Sequence, residues 1–379
     1  MIFTAKQAYP VGLDISDLSI KLVQLNNTKG KLNFQAIGRI SIEKGIIEKG
    51  EIKNKQKLIS SIKKIIAEPI YGRATSEEIV ACLPESKTFI KLIELEPTPN
   101  PVKNIIEVEI EKHIPMSINQ MYFDWQTIDN KKDSQCILIG AAPKETVNQY
   151  TELMDEAKLA LSALEIEPIA ICRSVLLEEK PKFNFAESLN YAVLDIGASH
   201  TSMIFYSKNT ILFTVSLPLS GAEITNEISS TLKITENQAE KAKIICGLDE
   251  AKADGIVKKI LANTAKKLLD KIKNSIEYYD SQFSAFGPIN KIIIGGGGGN
   301  IRNITDIIKK ETSINTEIAN PFINLSETKE GFSKILNKKD ALITNKKGSE
   351  IVSLSKSIHS SFATAIGLAL RGIFIDETN

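Results

Sequence analysis

Two similar α/β halves facing a shared cleft, with a small α+β subdomain inserted into the first, form the architecture that the sequence predicts. Three observations carry it. A pattern of Leu-Asp-Ile, a turn of small or polar residues and an apolar strand occurs at 12–23 and again at 194–205, an internal repeat. Strand-like apolar runs alternate with helical stripes along most of the chain. The texture changes near residue 85, where Pro97, Pro99 and Pro101 interrupt a β-α-β-β-α pattern that extends to 163. A length of 379 residues, 42% of them hydrophobic, is enough for two sizeable cores. The expected division is 1–84 with 164–187 and 359–379 as the first half, 85–163 as the insert and 188–358 as the second half.

Each element has its own signal. Residues 11–16, 20–26 and 31–42 read as strands, with Thr28-Lys29-Gly30 as a hairpin turn. Leu58, Ile62, Ile65 and Ile66 mark an amphipathic helix with lysines on its other face. The run Ile-Val-Ala-Cys-Leu at 79–83 is a buried strand that stops at Pro84. Within the insert, 89–95, 121–128 and 135–141 read as strands, and Val102, Ile105, Ile106 and Ile110 line a helix. Val147, Tyr150, Leu153, Met154 and Ala157 line a second helix, assigned to the core of the insert. Glu167-Pro168 opens a helix with proline in its first turn. Residues 178–190 and 326–350 are polar connections. In the second half a hairpin at 191–206 and a strand at 211–217 precede helices at 222–233, 236–246 and 255–284. The last of these stripes fits a core-facing helix or a coiled-coil strand. A strand at 291–294 runs into five glycines and a helix at 301–311, and 362–374 form an apolar helix.

Composition excludes several classes. A net charge of +1 provides no field for nucleic acid or an anionic membrane. No apolar run reaches the roughly 20 residues of a bilayer span. Cys82, Cys136, Cys172 and Cys246 lack disulfide or metal spacing, as do His113, His200 and His359. A cytoplasmic protein without zinc is expected.

The repeated motif suggests chemistry. Asp195 ends an apolar strand just before Gly197, Ala198 and Ser199, whose small side chains let backbone N–H groups approach an anion. A carboxylate there can meet the Mg²⁺ of a phosphate through water. Asp14 takes the same place in the first copy. Each motif alone also fits an ordinary hairpin; two facing each other would clamp a nucleotide tail. The glycines at 295–299 put bare backbone and a helix amino terminus beside a ligand. They lack the Gly-Lys-Ser/Thr of a P-loop and the context of a Rossmann fingerprint.

The order of these pieces resembles the actin/Hsp70/sugar-kinase ATPase superfamily. Over nearly its full length the chain is similar to the PilM family of type IV pilus assembly proteins. Gly12-Leu13-Asp14-Ile15-Ser16 and the strand after it resemble that family's opening hairpin. Glu111-Lys112-His113-Ile114-Pro115 resembles its Glu-Lys-x-Ile-Pro stretch, Ile166-Glu167-Pro168-Ile169-Ala170 its connecting helix, and 363–371 its closing helix. The resemblance implies an actin-like (ribonuclease H-like) two-domain ATPase fold, with the insert where PilM and FtsA carry theirs. It implies that Asp14 and Asp195 orient Mg²⁺ through water. Ser16, Asp17, Ser19 and Lys21, with Gly197, Ala198, Ser199 and Thr201, would hold the phosphates of ATP. Glu240 and Lys243 would reach ribose and adenine, and Gly295, Gly296, Gly297 and Gly298 would pass beneath the adenosine. Without the resemblance, Glu240 and Lys243 read as an i,i+3 surface ion pair. Ser16 stands where many relatives have glycine, and Asp17 adds negative charge; both weaken phosphate binding unless a metal or Lys21 compensates. Glu167 is the candidate for positioning a hydrolytic water, and a carboxylate at that helix start also suits the dipole.

Three functions follow as expectations. The first is a cytoplasmic ATP-binding scaffold of the type IV pilus machine. It would hold the amino-terminal peptide of a PilN-like inner-membrane protein in a groove beside the insert. It would meet the membrane only through that partner, with self-association left open. The second is an FtsA-like division protein or a type II secretion relative. A membrane-bound FtsA-like protein should carry an amphipathic carboxy-terminal helix, whereas 371–379 are short and acidic. The third is a small-molecule kinase, which needs a catalytic aspartate in the first half that the sequence does not offer.

Overall fold

The computed structural model describes residues 8–95, 102–114, 116–130, 135–177, 189–217, 219–326, 331–332 and 359–377. The prolines at 97–101 and nearly all of the polar connections at 178–190 and 326–350 lie outside the described residues.

The first half opens with β1 (Val11–Ser16), β2 (Ser19–Thr28) and β3 (Lys31–Ser41), an antiparallel meander. Lys29 and Gly30 both take positive φ, 55° and 78°, which closes the second hairpin in two residues. A ribbon of β4 (Ile47–Glu48) and β5 (Glu51–Ile52) precedes α1 (Lys55–Ala67), whose first turn is capped by the Asn54 side chain accepting from the Lys57 amide. The short β6 (Tyr71–Gly72) edges the sheet, and β7 (Glu78–Leu83) runs parallel to β1. The insert holds β8 (Phe89–Leu95), α2 (Val102–His113), β9 (Met121–Asn130) and β10 (Gln135–Pro143). The chain returns through α3 (Lys144–Ala157), β11 (Ala160–Ile166) and α4 (Glu167–Val175).

The second half repeats the plan. Its meander is β12 (Tyr191–Ile196), β13 (Thr201–Ser207) and β14 (Thr210–Leu217). Helices α5 (Gly221–Leu232), α6 (Glu236–Ile245), α7 (Ile256–Ile260) and α8 (Ala262–Gln282) lead to β15 (Lys291–Gly295), α9 (Ile304–Thr312) and β16 (Asn315–Ile318). Helix α10 (Ala363–Glu377) then packs on α4 and β1, back in the first half. One sheet is ordered β11-β7-β1-β2-β3-β6 and the other β16-β15-β12-β13-β14-β8-β10-β9. Each therefore has three antiparallel strands with two parallel ones beside the first. That shared order is the three-dimensional form of the sequence repeat.

Four expectations need correction. Helix α3 does not belong to the core of the insert. Its Tyr150, Leu153, Met154 and Ala157 pack with Leu58 and Ile62 of α1 and with the first sheet, because the chain must return to set β11 beside β7. The insert's own core is Ile93, Ile106, Ile110, Met121, Ile137 and Ile139. Its strands do not stand apart either: β8 pairs antiparallel with β14 at Phe213 and Lys91, so they extend the second sheet. The helix expected over 255–284 is two, broken near Leu261. The last three glycines and Asn300 form a 3-10 turn, Gly297–Asn300, so α9 begins only at Ile304.

Candidate functional site

Between the halves lies a cleft with a volume of about 600 Å³. Every residue expected to meet a nucleotide or its metal lines it, except Thr201 and Gly295. Both hairpins reach it because β1 and β12 are the inner strands at which each sheet changes from antiparallel to parallel neighbours. In open α/β sheets, ligands favour such switch points.

The two hairpins differ in detail. In the first, Asp14 faces Lys21 across the ladder, and the lysine Nζ donates to Asp14 Oδ2 at 2.7 Å. Both are buried, at 3% and 7% exposure, so the pair neutralises itself inside the cleft floor. Ser16 Oγ donates to Asp14 Oδ1 at 3.3 Å. Asp17 departs from its expected role. Its carboxylate accepts from the amides of Lys49 and Gly50 at 2.9 and 3.1 Å, so its charge is spent on an adjoining loop. In the second hairpin, Asp195 faces Ser202, which brings no cation. Burial raises the Asp195 carboxyl to about 6.

Backbone donors complete the floor. Gly197 donates its amide to the His200 carbonyl at 2.9 Å, while the carbonyls of Gly197 and Ala198 receive the Gly221 and Ala222 amides at 2.9 and 3.0 Å. The amides of Ala198 and Ser199 have no partner among the described residues. The helix start held against this turn is therefore that of α5. The Thr201 hydroxyl is buried without a partner among the described residues.

The glycine loop is shaped by contact with β12. A Cβ on Gly296, whose φ is +69°, would lie 2.4 Å from the Ile196 carbonyl, and one on Gly298 would lie 2.1 Å from the Ile196 side chain. Gly297 opens into free space. Ser360 Oγ donates to the Gly296 carbonyl at 2.7 Å and ties the loop to the start of α10. On the opposite wall Lys243 is buried and donates to Thr225 Oγ1 at 2.9 Å and the Gly221 carbonyl at 3.1 Å. Its ion pair with Glu240, at 2.6 Å, is the i,i+3 pair anticipated, but it faces the cleft.

Glu167, at the start of α4, sits beside Asp14. Their carboxylates and the Cys82 thiol lie within 4.8 Å of one another. Burial, reinforced by Asp14, raises the Glu167 carboxyl to about 8. Cys82, Thr225, Thr364, Ser360 and His200 were not singled out as site residues in the sequence. Only His200 gave a local signal, its place in the second turn. Its Nε2 meets Glu85 Oε2 at 3.2 Å, and the surrounding carboxylates outweigh burial to raise it to about 9.

A cation fits this donor set. Asp14, Glu167 and Asp195 crowd carboxylates together, and burial raises those of Glu167 and Asp195, a strain that a hard cation would relieve. The site also fixes a pH dependence. Glu167, Asp195 and His200 all bind their protons more tightly folded than unfolded, so their contribution to stability falls as pH rises. Surface carboxylates such as Glu43 and Glu311, lowered by Lys57 and Lys273, work the opposite way but only below their unfolded values. The melting temperature of the protein without ligand should therefore decline from about pH 5 to about pH 9. A rise measured over that window by calorimetry would contradict these assignments.

Comparison with known proteins follows the same lines. The family described as "Type IV pilus assembly protein PilM" matches residues 12–373. Cell division protein FtsA of Enterococcus hirae is 22% identical over 359 residues, which cover 84% of this chain and 79% of that one. Among solved structures, the chain is similar to one titled "PilM-PilN type IV pilus biogenesis complex", with a TM-score of 0.75, 20% identity and coverage of 97% of this chain and 99% of that. It is also similar to MreB5 of Spiroplasma citri bound to ADP, with a TM-score of 0.52, 13% identity and coverage of 90% and 100%. These structural likenesses establish an actin-like fold. Among the described residues, no helix is long and apolar enough to cross a membrane.

Proposed function

This chain belongs to the PilM family of type IV pilus assembly proteins, and from that premise we propose that it is an ATP-binding scaffold that carries a membrane partner's peptide. The observation that supports the nucleotide is the convergence of Asp14, Asp195, both turns and the glycine loop on one cleft between the halves. Mg²⁺ would be held through water by Asp14 and Asp195, where it offsets phosphate charge. Lys21 would share its charge between Asp14 and a phosphate, and the amides of Ala198 and Ser199, without partners among the described residues, would supply donors. Glu167 would orient the hydrolytic water, and its raised pKa makes it the stronger proton acceptor once ionised. Related MreB5 was solved with ADP, which fits the same use of the fold. Titration calorimetry with Mg·ATP tests the reading; absence of binding would overturn it.

For the partner, the amino-terminal peptide of a PilN-like inner-membrane protein fits a second groove of about 660 Å³ where the insert joins the second half. Phe89, Phe213, Val215 and Tyr278 give it apolar surface, and Lys91 and Lys271 give it positive charge. The protein would reach the inner face of the cytoplasmic membrane through that partner alone. Tyr278, 43% exposed and edge-on to Phe213, is the natural anchor. Replacing it by alanine should weaken peptide binding about tenfold, with Mg·ATP affinity unchanged; equal peptide affinity would remove the groove from consideration.

A further inference from the structure

The nucleotide cleft and the second groove share a wall. Ser86 lines both, Glu85 lines the groove, and Pro84 and His200 line the cleft. This wall is the 3-10 turn Glu85–Lys87, which links β7 to β8 at the root of the insert. Both hairpin turns reach it. From the second turn, His200 extends to the buried Glu85 carboxylate at 3.2 Å. From the first, Asp17 holds the Lys49 and Gly50 amides. Gly50 in turn packs so closely on Pro84 that a Cβ there would lie 2.6 Å from the proline ring. Lys87 is paired with Glu51 at 2.5 Å, which fastens the turn to the same loop. Beyond the turn, β8 enters the insert and supplies Phe89, Ile90 and Lys91 to the groove. It meets the second sheet through the Lys91–Phe213 pair.

We propose that the His200–Glu85 contact is a relay between the two sites: a γ-phosphate seated on the second turn draws His200 away from Glu85 and releases the wall of the groove. The proposal rests on the reading of the cleft as a nucleotide site. His200 is faced by Glu85, Glu167 and Asp195, and it is the ring of the second turn that lies nearest the groove wall. A triphosphate carries the anion that competes with Glu85, whereas a diphosphate lacks it. The two nucleotides should therefore leave the groove in different states.

Hydrogen exchange over residues 84–91, read beside calorimetry with Mg·ATP and Mg·ADP, tests this on the full chain. In the wild type, Mg·ATP should speed exchange in that segment at least about twofold relative to Mg·ADP. Glu85→Gln should tighten Mg·ATP about fivefold, the scale of one part-buried ion pair, and leave Mg·ADP within about twofold. Should that variant fail to fold, Glu85→Asp keeps the charge, shortens the reach and should show the same preference. If the wild type binds both nucleotides with identical exchange at 84–91, or the variants leave the ATP-to-ADP ratio unchanged, the relay is wrong and the nucleotide site stands. If the wild type binds neither, both fall together.

Discussion

Asp195→Ala should lower Mg·ATP affinity by about a hundredfold, or about 2.7 kcal/mol, while leaving the unliganded protein as stable as before or slightly more so. The opposite signs come from one cause. Asp195 ends β12 with its carboxylate against the glycine loop: a Cβ placed on Gly295 or Gly296 would lie 3.0 Å from its Oδ1. No lysine stands across the ladder, and burial already raises it to about 6. A half-buried carboxyl with no cation across the ladder contributes little to stability, so its removal should cost none. Its role would be to hold a cation against phosphate, and nothing else in the second hairpin replaces it. Asp14→Ala is the poorer test, since it strands the buried Lys21 ammonium and should destabilise the fold as well. Calorimetry and a thermal-shift series with Mg·ATP check both signs together; unchanged affinity in Asp195→Ala would remove the metal from this end of the cleft.

The contrast between the hairpins shows what was legible in the sequence. Leu-Asp-Ile followed by a small turn and an apolar strand is a local pattern, so its repetition announced two similar halves and the strands came out within a residue or two. The glycines at 295–299 were equally readable as a break after a strand, although Gly295 still belongs to β15. What escaped was long-range. β11 is Ala-Leu-Ser-Ala-Leu-Glu-Ile, weak in β-branched residues, and becomes a strand because β7 offers a parallel neighbour. β16 has only Thr316 buried among its four residues. The stripe of α3 was clear, but a stripe does not say which core it will join. Asp17 looked like a repulsive charge in a phosphate turn because its partners, the amides of Lys49 and Gly50, are more than thirty residues away. Glu85 and His200 are separated by 115 residues and have no common motif.

Gly367→Val should cost about 3 kcal/mol or more of unfolding free energy, the upper range for overpacking a core. The reason lies in how α10 is wedged. A Cβ at Gly367 would lie 1.8 Å from the Ala170 carbonyl of α4, a backbone atom that no rotamer change can move aside. On the facing side, Gly12 of β1 approaches α10 so closely that a Cβ there would lie 2.4 Å from the Ala365 carbonyl, so the helix cannot retreat toward the sheet. The seam is also clamped. Arg173 donates to the Gly367 carbonyl at 2.9 Å and to both oxygens of the buried Glu165 at 2.8 Å, and Arg371 of α10 donates to the same carboxylate. Forcing the helices apart would leave buried charges poorly matched. Because Glu167 begins α4 and accepts from Thr364 of α10 at 3.3 Å, the strain should also reach the cleft and weaken Mg·ATP binding. Gly372→Ala, on the same helix but against the Pro10 ring at 3.1 Å, should stay within about 1 kcal/mol, since gained helix propensity offsets the tight contact. Denaturant unfolding of the two variants separates these outcomes; equal midpoints would mean that α10 does not wedge the first half shut.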